Sequence, residues 1–173
     1  GLGSGGRGYC AFDISDPTTP KLLWEFTSLN DADLGYTFGN PLAVKKADGT
    51  WVVLLTSGYD NVQLNASASG PYDADGSGRG YLFVVNPLTG AVIDKIEAKD
   101  GATLVGDKTT PSGLGRIASW ADTPTLDATA VYVYGGDLQG YLWRFDIYSQ
   151  AVVRLATFTD ADAHAQPITT RPE

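Results

Sequence analysis

The chain of 173 residues carries 20 acidic against 12 basic side chains, a formal net charge of -8; a phosphate backbone or an anionic bilayer surface is repelled at long range, which disfavours nucleic acid as a partner. Hydrophobic residues supply 43% and charged ones only 18%, with Gly at 21 positions and Pro at 9, a mixture that suits short strands joined by tight turns and argues against long helices. A chain of this length can bury roughly two-thirds of its unfolded surface in one domain, and no run of about 18 apolar residues offers a membrane span.

Cys10 is the only cysteine, so neither an internal disulfide nor a multi-cysteine zinc site can form within the chain, and Cys10 is expected to fill a strand position as a small hydrophobe. The opening "GLGSGGRGYC" has no starting Met, charged n-region or apolar h-region. The tail "AQPITTRPE" stops at what reads as the start of another strand. The chain is therefore expected to be a segment of a longer protein, cut at both ends.

In chain order, Gly1, Gly3 and Gly6 match the spacing of a dinucleotide fingerprint, but that motif needs a helix after it. The strand-like "YCAFDI" follows instead, so these glycines read as a flexible lead-in. Residues 6–26 form an apolar, turn, apolar pattern, and residues 39–60 a second strand pair turning at Asp48-Gly49, a strong hairpin signal. Residues 61–80 are a Gly/Ser/Asp-rich insertion too polar for a strand, containing the sequon "NAS" at Asn65. Residues 78–96 are another hairpin, 113–137 another strand pair, and 138–158 a third hairpin carrying Tyr141, Trp143 and Phe145 on one side of a strand. Residues 166–170, "QPITT", resemble "NPLAV" at 40–44 and would open one more unit.

The three hairpins are repeats. "GRGYCAFD", "GRGYLFVVN" and "LQGYLWRFD" each run from glycine through an aromatic strand to an acidic or amide residue, and the anchors Asp13, Asn86 and Asp146 are 73 and 60 residues apart. A strand pair followed by a hairpin is a four-stranded meander. Repeated, it builds the blades of an all-β, quinoprotein-like β-propeller. The chain holds an incomplete arc of about two to three blades, one partial propeller domain over 1–173, too few to close. Such an arc leaves its terminal sheets uncovered and needs a neighbour. Trp143 and its companions are expected between blades.

Candidate chemistry is sparse. His164, the single histidine, lies in the polar "TDADAHAQP" with no serine or cysteine close by. Carboxylates at Asp73, Asp75, Asp122, Asp127, Asp160 and Asp162 could pair as acid and base only if the fold brings them together. Asp73, Asp75 and Ser77 alternate as the start of a calcium loop does, without the acidic residue that would close it; a plain Asp-Gly turn is the alternative.

The segments "GRGYCAFDISDPTTPKLLWEF", "LGYTFGNPLAV", "WVVLLTSGYDN", "GYLFVVNPLTGAVIDKI" and "VYGGDLQGYLWRFD", in this order, together resemble the C-terminal β-propeller of the PilY/PilC family of type IV pilus tip-associated adhesin and biogenesis proteins. The resemblance implies a secreted, non-enzymatic surface protein, exported through the periplasm, that sits at or near the pilus tip and supports pilus extension, surface attachment and twitching motility. Its partners would be pilus components, a host or abiotic surface and the rest of its own propeller, with no nucleic acid and no membrane insertion. It also implies an aspartate-rich calcium loop before "VYVYGGDLQG". The family's ligand positions fall on Thr123, Thr125, Asp127 and Val131, of which only Asp127 keeps a carboxylate, with Asp122 one residue out of phase. Two other functions compete: a quinoprotein-type dehydrogenase propeller using pyrroloquinoline quinone, suggested by the Asp/Asn, Thr-Gly and Trp pattern of the repeats, and a ligand-free structural scaffold.

Overall fold

A computed structural model describes residues 1–62, 75–121, 127 and 129–173. Among the described residues, ten strands form three antiparallel sheets. The first sheet is a hairpin of β1 (Gly8–Asp13) and β2 (Lys21–Thr27). The second is the meander of β3 (Leu42–Lys45), β4 (Trp51–Thr56), β5 (Tyr81–Val85) and β6 (Val92–Glu97). The third repeats that meander with β7 (Ile117–Trp120), β8 (Tyr132–Gly136), β9 (Tyr141–Phe145) and β10 (Val152–Thr157). These are the expected units: two complete four-stranded blades and half of one before them. The Asp48-Gly49 turn forms as read, with Lys46 N bonded to Thr50 O at 2.8 Å and Gly49 at φ 86.

The sheets stack face to face. β5 is buried along its whole length, "YLFVV", because it is flanked by strands within its sheet and covered on both faces, which explains its unbroken apolar run. Tyr81, Phe83 and Val85 face the hairpin and pack with Tyr9, Trp24 and Phe26; the rings of Phe26 and Phe83 meet edge-on at 5.2 Å. Leu82 and Val84 face the other way, into a core shared with Val133, Trp143 and Phe145 of the third sheet. Trp143 and Phe145 are fully buried there. The aromatic strand of the third repeat is thus an inter-blade core, as expected.

The repeats keep one anchor and lose another. Asp13, Asn86 and Asp146 each accept a hydrogen bond from the amide two residues on, at 2.9, 2.9 and 2.8 Å, so the turn after the third strand of each unit is the same Asx turn. Counting back from these anchors, Tyr9 takes the place of Leu82 and Leu142, and the repeated "GRGY" at 6–9 and 78–81 is one residue out of step. A slip of one residue turns a side chain to the opposite face. Tyr9 and Tyr81 consequently enter the same core from opposite sheets, and Tyr9 donates its hydroxyl to Thr56 O at 3.2 Å.

The same register corrects two expectations. Cys10 does lie in a strand, but its side chain is exposed on the face turned away from the core, so it fills no interior space. Residues 166–170 do not open a new strand. Ile168 instead donates its amide to Asp137 O at 2.9 Å and packs on Gly136. The glycines of the opening segment make a short 3-10 turn, Gly3–Gly5, tied back by Leu2 N to Gly8 O and to Thr37 Oγ1; β1 follows at once, without the helix a dinucleotide site needs.

Candidate functional site

Of the proposed calcium positions, Asp122, Thr123 and Thr125 lie outside the described residues, as do Asp73 and the Asn65 sequon. Asp127 is described, and its carboxylate already has a cation: Lys45 Nζ, at the end of β3, stands 2.6 Å from Oδ1. The same oxygen accepts the Thr129 amide at 3.0 Å. Lys45 first and Thr129 second hold the Asp127 carboxyl below the usual carboxylate range. The backbone repeats the link, since Ala130 N donates to Lys45 O at 2.9 Å and Lys45 bridges Thr129 in parallel. Val131 offers no side-chain oxygen, and its amide is bonded to Trp120 O at 2.8 Å. Hard cations need several charged oxygens. Of the two described positions, Asp127 is already paired with an ammonium and Val131 brings no side-chain oxygen, and no group of three or more His, Cys, Asp or Glu that could hold a metal occurs among the described residues.

The second acidic loop does not converge either. Asp75 pairs with Lys108 at 2.6 Å in solvent. Ser77, two residues on, turns to a different carboxylate, donating its amide and hydroxyl to Asp33 Oδ1 at 2.6 Å each. Asp33 also binds Lys95 Nζ at 2.7 Å, and Lys95 reaches Asp31 at 2.8 Å. Burial by itself would raise the Asp33 pKa, but the bonds from Lys95 and Ser77 outweigh it and hold the group down. For Lys95 the desolvation is outweighed in the same way by both aspartates, and its pKa is raised. This is a strut between the hairpin sheet and β6.

His164 and Asp160 meet at 3.1 Å in an exposed turn, where Asp160 Oδ1 also accepts the amides of Asp162 and His164 at 2.9 Å each. The hydrogen bonds of that turn hold Asp160 below its usual pKa. No nucleophile accompanies the pair among its described hydrogen-bond partners. Among the described carboxylates singled out from sequence, Asp75 pairs with Lys108, Asp127 with Lys45, and Asp160 and Asp162 share one turn, so these three places do not converge.

The residue that sequence reading passed over is Asp137, at the turn from β8 to β9. It is fully buried. Its Oδ2 accepts Trp143 Nε1 at 2.8 Å, and its Oδ1 accepts the amides of Gln139 and Tyr141, both at 2.9 Å. Burial pushes its pKa up to about 6 despite these three donors. A carboxylate that takes three hydrogen bonds in an apolar surround orders the indole and the turn at once. The signal was present in "GGDLQGYLW", where the Asp lies six residues before the Trp, but only the hairpin geometry brings the two side chains together.

Comparison with known proteins gives the context for this arrangement. The chain is 36% identical over 151 residues to a type IV pilus biogenesis factor PilY1 homolog of Xylella fastidiosa, covering 85% of this chain and 9% of that protein. It is 35% identical over 163 residues to the type IV pilus biogenesis factor PilY1 of Pseudomonas aeruginosa, covering 93% of this chain and 12% of that one. The chain thus spans about a tenth of the length of these curated relatives. The crystal structure of the Pseudomonas aeruginosa PilY1 C-terminal domain superposes with a TM-score of 0.75 at 30% identity, over 98% of this chain and 36% of the solved one. The profile of the PilY1 beta-propeller domain matches residues 1–171. Stacked four-stranded meanders, an aromatic inter-blade core and a family profile that runs nearly end to end all agree: this chain belongs to the PilY1 β-propeller domain family.

Proposed function

We propose that the chain works as part of a longer propeller in a type IV pilus biogenesis factor, acting by binding and assembly with no catalytic step of its own. The observation that supports this best is the match of the PilY1 beta-propeller profile to residues 1–171, together with relatives named as type IV pilus biogenesis factors. In this reading the protein is exported through the periplasm and stands at the cell surface, at or near the pilus tip. There it contacts pilus components and the surface to which the cell attaches, and supports extension, attachment and twitching. The stacked sheets act as a rigid frame and the connecting loops as the contact surface, the usual division of labour between scaffold and loop.

The test is a count of surface pili on cells with an in-frame deletion of this segment, made in strains with retraction intact and with retraction disabled. Pili that vanish in the first strain and return in the second place the segment in the balance of extension and retraction. Unchanged pilus numbers in both strains defeat the biogenesis reading and leave attachment or scaffolding as the role.

A further inference from the structure

The sequence contains three Asp-Gly steps, Asp48-Gly49, Asp75-Gly76 and Asp100-Gly101. At such a step the glycine amide can attack the aspartate's own side-chain carboxyl, because no Cβ shields the nitrogen and the backbone turns freely. The bond from Gly N to Asp Cγ forms and the bond from Cγ to one carboxyl oxygen breaks. That oxygen leaves as water, taking the amide proton and the carboxyl proton. Water then reopens the succinimide ring at either carbonyl. Opening at Cγ restores aspartate; opening at the backbone carbonyl carbon leaves isoaspartate, with the chain running through Cγ and no net change of mass. The reaction needs a free glycine amide, a releasable carboxyl and room for the backbone to turn.

The fold sets the three steps apart. Gly49 N is bound to Lys46 O at 2.9 Å and Asp48 Oδ1 accepts the Thr50 amide at 2.9 Å, so nucleophile and carboxyl are both held. The bonds from Thr50 also keep the Asp48 carboxyl below its usual pKa, and hence ionised. Gly76 is buried, its Cα wedged between Asn61 O and Ala32 O, which leaves its backbone no room to turn. Asp100-Gly101 differs on each count. Asp100 and Thr103 exchange backbone hydrogen bonds of 3.1 and 2.9 Å around a two-residue turn whose first residue, Gly101, has φ 59, the pattern of a type II′ turn. The Gly101 amide meets no acceptor among the described residues, and a Cβ built on it meets nothing within 4 Å.

The Asp100 carboxylate is tied from the neighbouring sheet. Arg154 of β10 places Nη2 2.6 Å from its Oδ2, with the guanidinium itself stacked 4.8 Å over the Tyr141 ring. While the pair is closed the carboxylate is held in place and its oxygen leaves poorly; both side chains are partly exposed, so the pair opens readily. We propose that Asp100-Gly101 is a site of spontaneous isomerisation to isoaspartate, and that the ion pair with Arg154 restrains it. The reaction removes its own restraint. Isoaspartate carries its carboxylate on Cα, one carbon-carbon bond or about 1.5 Å closer to the main chain, and its extra backbone carbon disrupts the Asp100–Thr103 pair. The link between the loop that leaves β6 and β10 is then lost without a change of mass.

The test is a tryptic peptide map of the intact folded chain after weeks at neutral pH, with isoaspartate labelled by protein isoaspartyl methyltransferase. Cleavage after Lys99 and Lys108 isolates Asp100 in residues 100–108, whereas Asp48 and Asp75 fall in residues 47–79, where fragmentation tells them apart. Label is expected at Asp100 about tenfold faster than at Asp48, the barrier equivalent of the one hydrogen bond that Gly49 must first give up. Arg154→Gln is expected to raise the rate at Asp100 about threefold, as release of a partly exposed ion pair implies, with the rates at Asp48 and Asp75 unmoved. Asp100→Glu should leave residues 100–108 unlabelled. Label that appears first at Asp48 or Asp75, that appears at none of the three, or that persists in Asp100→Glu overturns the assignment; an unchanged rate in Arg154→Gln, or an equal rise at all three steps, overturns the role of Arg154.

Discussion

Asp137 is the residue whose chemistry leads furthest. Its pKa rises to about 6 because burial penalises the charged form more than Trp143 and the two amides reward it. The unfolded chain releases this proton near the ordinary value of about 4, so between pH 4 and 6 the folded state holds the proton and the unfolded state does not. Stability from this group therefore falls as pH rises through that window, by ~3 kcal/mol in order of magnitude, and stays low above it. Asp137→Asn is expected to cost about 1–3 kcal/mol, because an amide cannot accept from every donor now placed there, and to flatten the slope. Urea unfolding of both proteins across pH 4 to 7 checks this; an unchanged slope in the variant would assign the titration elsewhere. A backbone position is equally exacting. Gly58 sits at φ 69, and a Cβ there would lie 2.0 Å from Tyr36 O. Gly58→Ala is expected to lower stability by more than ~2 kcal/mol, from strain and a forced shift of the 36–59 backbone pair, read as a drop in the denaturation midpoint.

Between elements, the link from β3 to the segment before β8 is the ion pair of Lys45 with Asp127. Lys45 and Asp127 are both partly exposed, so the pair adds little to stability. Its main effect is to fix where the segment lies. Lys45→Met and Asp127→Asn are expected to lose similar small amounts of stability, and the double variant no more than either alone, the sign of one shared interaction. Millimolar calcium or a chelator should leave the wild-type thermal midpoint unmoved. A calcium-dependent rise that disappears in Asp127→Asn would show that the loop binds the ion after all.

Across the whole molecule the three sheets are not held equally. The two meanders share a continuous core, whereas the β1–β2 hairpin has two strands and rests on Tyr9, Trp24 and Phe26. Trp24 anchors it, with Nε1 donating to Pro87 O at 2.9 Å and its ring lying against Gly90 at the β5–β6 turn. Hydrogen exchange should therefore run fastest in β1 and β2 and slowest in β4 and β5, since local opening follows the number of buried contacts. Trp24→Ala, a loss of about 3–5 kcal/mol of packing, should release the hairpin while the β3–β10 amides keep their protection. Uniform loss of protection would mean that the three sheets unfold as one unit.

The strands, their pairing into meanders and the turns at Asp48-Gly49, Asn86 and Asp146 were legible in the sequence. Each rests on local rules: period-two burial, turn residues with a preferred backbone, and a repeat whose anchor forms the same hydrogen bond each time. The family was legible for the same reason, since an ordered set of local motifs needs no knowledge of contacts. Which face Tyr9 turns to, why Cys10 is exposed, and how Asp137, Lys45 and Arg154 find Trp143, Asp127 and Asp100 were decided only by the tertiary structure. A one-residue slip in register reverses a face without changing composition, and an ion pair between sheets joins residues whose separation along the chain carries no signal of their distance in space.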